Sequence, residues 1–524
     1  MNVLIIILVI VISLGIIFFL AYRFLRYSFL VNLLLILFTI TTVYKYLGLH
    51  ALDMVLYLLC PLLLLNVALY VFIPLKTIPE TKDLQFRVDF KLKHGKLTLE
   101  NIRRGISIIG AAGSGKTESV VYNLLEHFAN YNFSGVIHDY KDFEITEMAY
   151  PLFQEKEIDF FIISFEKIYH RVNPIAARYL PNEESVNEVA RVFMENLLEQ
   201  KEQGSTGTTK FFNDAAEGIL AGLIWKLKTS YPQYCTLPHL ITIYQLLDTE
   251  SLIAFLSSNS TSRGMADAFI SGKDSERQTA GVRSTLANAL KKITSQKIFT
   301  VLSGDEVPLD INAQNKTTIV SVVNNPKYET AYSPVIATIM HTITKQMSVR
   351  DRKPSFLLME EAPTIRLLNM HRIPATLRSY NIVTVYVIQD KIQNDLMYGD
   401  KASKAILSNL SYQFFGKVND PDTAKYYEQF FELIKKETTS INSGHNLDFD
   451  TRITKGEKEI PKIRANVFFR LKPGEFITYA DGVDRKIVFL KTDIRKGLPV
   501  SFYEFSIMPD KYLKDVTEIF SLDS

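Results

Sequence analysis

The stretch from Gly110 to Thr117 carries residues of the types and spacing that bind a phosphate chain. It fits the pattern G-x-x-x-x-G-K-[ST], whose glycines let consecutive backbone N–H groups converge on phosphate oxygens. In this pattern Lys116 reaches the β- and γ-phosphates, and the hydroxyl of Thr117 ligates Mg²⁺. The sequence therefore predicts a nucleotide site with ATP and Mg²⁺ as its cofactors.

The sequence on either side of this loop supports that prediction. The β-branched run Ile106–Ile109 precedes the loop, and a helical pattern follows from Val120 to Phe128. A nucleotide site requires this strand–loop–helix setting, because the helix N-terminus adds the positive end of its dipole. A chance glycine-rich turn is the alternative. The residues predicted to contact the nucleotide are Gly110, Ala111, Ala112, Gly113, Ser114, Gly115, Lys116, Thr117 and Glu118.

A hydrophobic run that ends in two carboxylates supplies the other half of an ATPase site. Phe356–Met359 is followed by Glu360 and Glu361, and hydrolysis needs both a metal-orienting acid and a water-activating base. We assign Glu360 to the metal, directly or through water, and Glu361 to the general base. The alternative is a surface acidic pair that caps a helix starting near Pro363.

Two polar residues flank the predicted strand Ile382–Ile388. Gln389 follows this strand, which we expect beside the strand that carries Glu361, so its amide is placed to contact the γ-phosphate. Arg378 precedes the strand, and an arginine there can stabilise the transition state on a neighbouring subunit's nucleotide. A glutamine that simply starts a helix and a solvent-exposed arginine are the alternatives.

Other catalytic chemistries lack their residues in this sequence. The nine histidines show neither H-E-x-x-H spacing nor a Cys/His cluster, and there is no G-x-S-x-G motif. Two cysteines, Cys60 and Cys235, are too few for a disulfide framework or a cysteine zinc site. The formal charge of +3 resides in the first 76 residues, so the remainder lacks the overall basic charge of many nucleic-acid-binding domains.

The order of predicted strands and helices indicates an α/β fold interrupted by a helical region. Apolar runs alternate with helical patterns before about residue 165 and again after residue 317, which predicts a parallel sheet. Between about residues 182 and 303 the patterns are helical. We therefore predict an ATPase domain, residues 77–181 and 304–524, with an inserted all-α domain, residues 182–303. Residues 77–101 are interpreted as a polar lead-in, and residues 437–462 as a mobile polar segment.

Three apolar stretches precede these domains, at about residues 3–22, 29–43 and 54–74. The first has twenty residues without a charge, which is long enough to cross a bilayer. Arg23 and Arg26 favour a cytoplasmic first loop, so the three stretches predict a multi-pass membrane protein with its ATPase domain in the cytoplasm. A cleaved signal peptide, a two-span hairpin and three buried core helices are the alternatives.

Further short segments match the motifs of one family. They are Val136–Asp142 for a hydrophobic-D-P-K-G box, Asn173-Pro174, Arg378–Ile382, Gln389–Gln393 with Tyr398-Gly399, Asn409 with Asn419–Ala424, and Leu471–Glu475. With the phosphate loop and the acidic pair, these segments resemble the coupling proteins of type IV secretion and conjugative DNA transfer. The resemblance implies a RecA-like P-loop fold with an inserted all-α domain and an N-terminal transmembrane anchor in the bacterial inner membrane.

The same resemblance implies a function and partners. It implies a homo-hexamer that uses ATP hydrolysis to drive relaxase-bound single-stranded DNA toward type IV secretion channel components, in contact with membrane lipid. A coupling ATPase for protein effectors and a weakly hydrolysing docking receptor stay open as alternatives. The family usually has Asp-Glu where this chain has Glu360-Glu361, proline at Tyr140, and glycine at Asp142 and Asn381.

Overall fold

Strands and helices alternate along the part of the chain that the structure describes. The computed structural model describes residues 84–198, 207–443, 451–503 and 510–523. Their strands are β1 (Val88–Lys91), β2 (Lys96–Leu99), β3 (Ile106–Ile109), β4 (Ser134–Asp139), β5 (Asp159–Ile163), β6 (Thr318–Val323), β7 (Ser355–Met359), β8 (Ile382–Ile388), β9 (Tyr412–Phe415), β10 (Leu433–Ser443), β11 (Thr451–Pro461), β12 (Glu475–Ala480) and β13 (Val483–Val488). Their α-helices are α1 (Tyr122–Asn130), α2 (Thr146–Gln154), α3 (Glu183–Leu197), α4 (Thr208–Ser230), α5 (Leu237–Leu246), α6 (Thr249–Ser257), α7 (Ser260–Met265), α8 (Asp267–Ile270), α9 (Glu276–Lys291), α10 (Gln296–Val301), α11 (Glu329–Met347), α12 (Ile373–Arg378), α13 (Lys391–Tyr398), α14 (Asp400–Ser408), α15 (Pro421–Glu428), α16 (Ala465–Phe468) and α17 (Asp510–Asp523).

One mostly parallel sheet organises these elements. Nine strands pair in the order β13-β12-β9-β3-β8-β7-β4-β6-β5. The strands from β9 to β5 run parallel, and β12 with β13 adds an antiparallel hairpin at one edge. The predicted mixed α/β class with a large parallel sheet is therefore confirmed.

The central strands are buried on both faces. In β7, Leu357 and Met359 belong to one hydrophobic core, whereas Phe356 and Leu358 belong to a second core. Side chains of successive strand residues point to opposite faces, so the two cores lie on the two faces of the sheet. This double burial explains why the strands are continuous apolar runs without polar alternation.

The carboxyl ends of β3, β8, β7 and β4 lie side by side at one edge of the sheet. Ile109 is in register with Ile388, and Met359 is in register with both Tyr386 and His138. Ligands of such sheets bind in the crevice outside these ends. The residues that directly follow these four strands are therefore brought together.

A helical region separates β5 from β6. It contains α3 to α10, and no strand occurs in its described residues, 164–198 and 207–317. Asn182 begins the region with a capping box, in which its side chain and that of Ser185 satisfy free N–H groups at the start of α3. The helices share one core with the sheet, and the predicted boundaries of the three domains stay a prediction.

Two hairpins form where the sequence predicts no strand. β1 pairs with β2 inside the predicted polar lead-in, and buried Phe90 packs against Phe414 with ring centroids 5.7 Å apart. β10 pairs with β11 over eleven residue pairs, and most of this ribbon lies in residues 437–462, the segment expected to be mobile. Exposed Leu433 and Ile434 lie in this ribbon. The sequence of these two strands lacks the alternating apolar pattern by which strands are recognised.

The predicted localisation requires a correction. Among the residues that the structure describes, no helix is long and apolar enough to cross a membrane. The prediction of a multi-pass membrane protein is therefore not upheld by the structure. The three stretches on which it relied, at about residues 3–22, 29–43 and 54–74, lie outside the described residues.

Candidate active site

The phosphate loop follows β3 and depends on two glycines with left-handed backbone conformations. Gly113 has φ of 73° and Gly115 has φ of 84°, a region that other residues enter only at an energetic cost. A Cβ atom on Gly115 would also lie 2.7 Å from the backbone nitrogen of Gly474. Glycine at this position is thus required by both conformation and space.

Backbone hydrogen bonds from neighbouring segments hold the loop in place. The N–H of Gly110 donates to Ile388 O at 3.2 Å, and the N–H of Ala111 donates to Lys417 O at 2.7 Å. On the other side, the N–H of Gly474 donates to Ser114 O at 3.0 Å. The loop is therefore fixed between the ends of neighbouring strands and the turn before β12.

Lys116 is buried at the centre of the loop. Its Nζ donates to Gly110 O and to Ala111 O, the latter at 3.4 Å, and burial lowers its pKa. Thr117, also buried, begins a π-helical turn, Thr117–Val121, that leads into α1. π-turns of this kind are rare and occur often at functional sites.

The acidic pair lies at the carboxyl end of β7, where both side chains are 1–2% exposed. Glu360 Oε2 accepts from the N–H of Tyr140 at 3.2 Å. Lys141 Nζ lies 3.1 Å from Glu360 Oε1 and 3.1 Å from Glu361 Oε1. The alternative of a surface acidic pair is therefore wrong, because both carboxylates are buried and share one ammonium group.

Gln389 contacts the candidate general base directly. β8 lies beside β7, as the sequence predicted, and Gln389 Nε2 donates to Glu361 Oε1 at 2.8 Å. Glu361 adopts a left-handed conformation with φ of 44°, which is uncommon for a residue other than glycine and clusters at functional sites. The side chain of Asp390 caps α13, the helix after β8. The amide of Gln389 is therefore not needed as a helix cap and can make the contact with Glu361.

Burial also raises the pKa values of one member of the pair, Glu360, and of Asp139, which lies near it. The pKa of Glu360 rises to about 8 through burial, and nearby Asp139 adds to the effect. The pKa of Asp139 rises to about 6 through burial, although Thr146 donates two hydrogen bonds to its Oδ2. Strongly perturbed carboxyl groups beside a phosphate loop are typical of functional sites.

Arg378 lies away from these residues in the same chain. It is an exposed residue that ends α12, before β8 begins, whereas Gln389 follows the other end of β8. The strand has seven residues and spans about 20 Å. Within one chain Arg378 is thus separated from the phosphate loop and the acidic pair, so it has no role in its own subunit's site.

Three groups in the site were not assigned a role from the sequence. Lys141 bridges the acidic pair, the N–H of Tyr140 binds Glu360, and Gly474 binds the phosphate loop. Lys141 and Gly474 belong to two of the short motifs in the sequence, the D-P-K-G-like box and the L-x-P-G-E segment. The motifs can be recognised in the sequence, but their contacts cannot, because these contacts join segments hundreds of residues apart.

The residues present fit ATP with Mg²⁺. The Ser114 hydroxyl is buried without a hydrogen-bond partner in the described structure, and it belongs to the loop that would cradle the phosphates. Among the described residues, no three His, Cys, Asp or Glu side chains converge as a metal site. Mg²⁺ at nucleotide sites uses one or two protein ligands together with phosphates and water, so Thr117 with Glu360 is an appropriate donor set.

The fold and site define a nucleotide-binding α/β protein, and comparison with known proteins places it in a family. A model of the type IV secretory system conjugative DNA transfer family matches residues 77–493. Because this match covers more than half of the chain, the protein belongs to that family. The resemblance to type IV secretion coupling ATPases that the sequence predicted is confirmed.

Solved structures of a bacterial conjugative coupling protein, TrwB, share the fold. The unbound form of TrwBdeltaN70 has a TM-score of 0.60 at 11% identity, covering 77% of this chain and 88% of that chain. TrwB with the ATP analogue ADPNP has a TM-score of 0.59 at 13% identity, covering 77% and 89%. TrwB with ADP and Mg²⁺ has a TM-score of 0.59 at 13% identity, covering 77% and 88%. No curated protein matches the chain.

Proposed function

We propose that this protein is a coupling ATPase that drives a substrate, relaxase-bound single-stranded DNA, into a type IV secretion channel. The observation that carries the proposal is the contact between Glu361 and Gln389 at the sheet edge that also bears the phosphate loop. A base and an amide at this edge are arranged for water activation at a γ-phosphate. Family membership supplies the expectation that hydrolysis serves DNA transfer.

Each residue has a defined task in this proposal. The backbone N–H groups of the loop bind the phosphates, and Lys116 exchanges its contacts with Gly110 O and Ala111 O for phosphate oxygens. Thr117 and Glu360 hold Mg²⁺, which when bound offsets the charge of the phosphate oxygens. Glu361 accepts a proton from the attacking water, while Gln389 orients the carboxylate and the water.

ATP and Mg²⁺ are the proposed cofactors. TrwB, which has the same fold, has been solved with ADPNP and with ADP and Mg²⁺. The donor set of Thr117 with Glu360 suits the same pair of ligands. Arg378, exposed and remote from its own site, would complete the site of an adjacent subunit in a homo-oligomer, for which a hexamer is proposed.

The proposal separates nucleotide binding from hydrolysis and can be tested on that basis. Lys116→Ala removes the phosphate-binding ammonium, so binding of a fluorescent ATP analogue is expected to be lost. Glu361→Gln keeps the volume of the side chain and removes the base, so binding is retained and turnover falls by at least about 100-fold. Equal loss of binding in both variants, or full turnover in Glu361→Gln, would contradict the assignment.

A weakly hydrolysing docking receptor is the second candidate. The observation in its favour is that Glu360 replaces the usual Asp and that burial raises its pKa to about 8. A longer side chain that resists ionisation is a poorer metal ligand. Glu360→Asp distinguishes the two functions, because a large gain in turnover favours the docking receptor, whereas a loss shows that the site is adapted to glutamate.

The remaining alternative concerns the transported substrate. A coupling ATPase for protein effectors would use the same site. DNA stimulation that weakens with salt is expected of a DNA motor, because contacts to phosphates release counterions. Turnover that is indifferent to single-stranded DNA but lost in Lys116→Ala and Glu361→Gln would favour protein effectors.

A further inference from the structure

A cavity lies beside the candidate catalytic residues and separates them from the helical region. Its volume is about 550 Å³. Glu361 and Gln389 line it, as do Glu195 and Asn196 at the end of α3 and Arg366 from the segment after β7. The segment after β7 borders open space here, so close packing cannot fix its position on this side. Its position therefore depends on its hydrogen bonds.

Arg366 is bonded to α3 through both its backbone and its side chain. The N–H of Arg366 donates to Asn196 Oδ1 at 2.9 Å, and Asn196 Nδ2 donates back to Arg366 O at 2.9 Å. The guanidinium Nε of Arg366 donates to Glu195 Oε2 at 3.1 Å. The two charged side chains are only 17% and 14% exposed, so this pair is charge-assisted and largely shielded from water.

Arg366 also contacts the helix that follows Gln389. Its Nη1 donates to Met397 O at 2.8 Å, near the end of α13. The neighbouring Tyr398 hydroxyl accepts from the N–H of Leu367 and donates to Ile365 O, both at 3.2 Å. The segment around Arg366 is therefore held by α3 of the helical region and by α13, the helix that follows β8.

The chain between Glu361 and Arg366 is short and internally bonded. Thr364 donates to Glu361 O through its N–H at 3.0 Å and through its hydroxyl at 2.8 Å. Ala362–Thr364 forms a 3₁₀ turn. A displacement of Arg366 therefore reaches the backbone of Glu361 without a flexible linker to absorb it.

We infer that Arg366 and Asn196 are positioning residues. Through them, the position of α3 determines the orientation of Glu361 toward Gln389. Neither belongs to the residues proposed to bind nucleotide or metal, and both act through the segment from Glu361 to Arg366. The inference rests on the proposed function, in which Glu361 is the general base. It gives the helical region a direct route by which movement of α3 changes the rate of hydrolysis.

The test uses Asn196→Ala in the full-length protein, because this change removes both backbone contacts of Arg366 and leaves the guanidinium intact. A displacement of about 1 Å at the base is expected to lower kcat between about tenfold and 100-fold. The KM for ATP and the Kd of a fluorescent ATP analogue are expected to stay within about twofold of the wild-type values, because the phosphate loop follows β3 and not β7.

The matched control is Arg171→Ala, which removes a comparable Arg171–Glu306 pair with 27% and 26% exposure. The bonds of Arg171 to Glu306 join the chain after β5 to the chain before β6, so kcat is expected to stay at the wild-type value. Should Asn196→Ala fail to fold, Arg366→Lys serves instead, since it keeps the charge and the backbone but loses the forked contacts to Glu195 and Met397.

Three results are decisive. A kcat loss with unchanged Kd in Asn196→Ala, absent in Arg171→Ala, supports the inference. Wild-type kcat in Asn196→Ala, or parallel loss of kcat and binding, overturns it while leaving the proposed function intact. If the wild-type protein binds ATP but shows no hydrolysis above Lys116→Ala, the proposed function fails and the inference fails with it.

Discussion

Lys141 lies between the two acidic side chains of the candidate site, with its Nζ 3.1 Å from Glu360 Oε1 and 3.1 Å from Glu361 Oε1. One ammonium group therefore serves two buried carboxylates that follow each other in sequence. Burial lowers the pKa of Lys141, but the two glutamates raise it above its usual value overall. The lysine stays charged at neutral pH and favours the ionised form of both buried carboxyl groups.

Removal of this lysine is expected to destabilise the protein. Lys141→Met leaves two buried carboxylates without their shared cation, and Lys141 itself is 32% exposed. The cost, discounted for that exposure, is expected to be ~1–3 kcal/mol in the free energy of unfolding. Denaturant unfolding of the nucleotide-free protein measures it. Lys297→Met is the control, because it removes a pair to Glu166 in which the lysine is 50% exposed; an equal loss in both variants would contradict the bridging role.

The turn at Gly474 is expected to set the geometry of the phosphate loop. Gly474 has φ of 78°, so Gly474→Ala strains the turn whose N–H binds Ser114 O at 3.0 Å. The loop loses this support, and the Kd for a fluorescent ATP analogue is expected to rise about tenfold, or ~1.4 kcal/mol.

Gly482 offers a control for backbone strain at the other end of β12. It has φ of 80°, and a Cβ added there meets no atom within 4 Å. Gly482→Ala therefore carries a similar conformational cost of about 1–2 kcal/mol without touching the loop. If both variants weaken nucleotide binding equally, the effect comes from general destabilisation and the proposed role of the turn is incorrect.

A half-buried carboxyl group in α4 should make stability depend on pH. Burial raises the pKa of Glu217 to about 7, although the charge of Arg191 opposes this. Since the pKa is above its unfolded value, the group's contribution is fully present below about pH 4.5 and is lost as pH rises through 7. Glu217→Gln is expected to raise the Tm by about 1–2 °C at pH 8 and to have little effect at pH 5. A uniform shift across this range would contradict the assignment.

Arg378 is expected to act on the nucleotide of a neighbouring subunit. Arg378→Ala and Lys116→Ala should each abolish hydrolysis when assembled alone. Mixed in equal amounts, they should recover about a quarter of the wild-type rate, because one site in four then combines an intact loop with an intact neighbouring arginine. Steady-state hydrolysis of the mixture measures this recovery. Full activity of Arg378→Ala alone would show that the arginine is only a surface residue.

Local pattern was sufficient to predict the parallel sheet and the proximity of Gln389 to Glu361. Buried parallel strands are continuous apolar runs, so Phe356–Met359 and Ile382–Ile388 were recognised, and their adjacency placed Gln389 near Glu361. The ribbon of β10 and β11 was missed because it lacks the periodicity of a strand with one buried face.

Contacts between segments far apart in the sequence could not be predicted from local sequence patterns. Lys141 precedes Glu360 by more than two hundred residues, and Gly474 lies still further from Ser114. Only the order of strands in the sheet brings these partners together. The bonds of Arg366 to α3 likewise depend on how the helical region packs against the sheet, which composition and periodicity do not specify.

ATP turnover of the full-length protein with and without single-stranded DNA tests the central claim most directly. Lys116→Ala and Glu361→Gln are measured beside the wild type at several salt concentrations. A coupling ATPase for DNA is expected to show turnover that DNA stimulates, that salt weakens and that both substitutions abolish. Turnover no higher than that of Lys116→Ala, even with DNA at low salt, would contradict the claim.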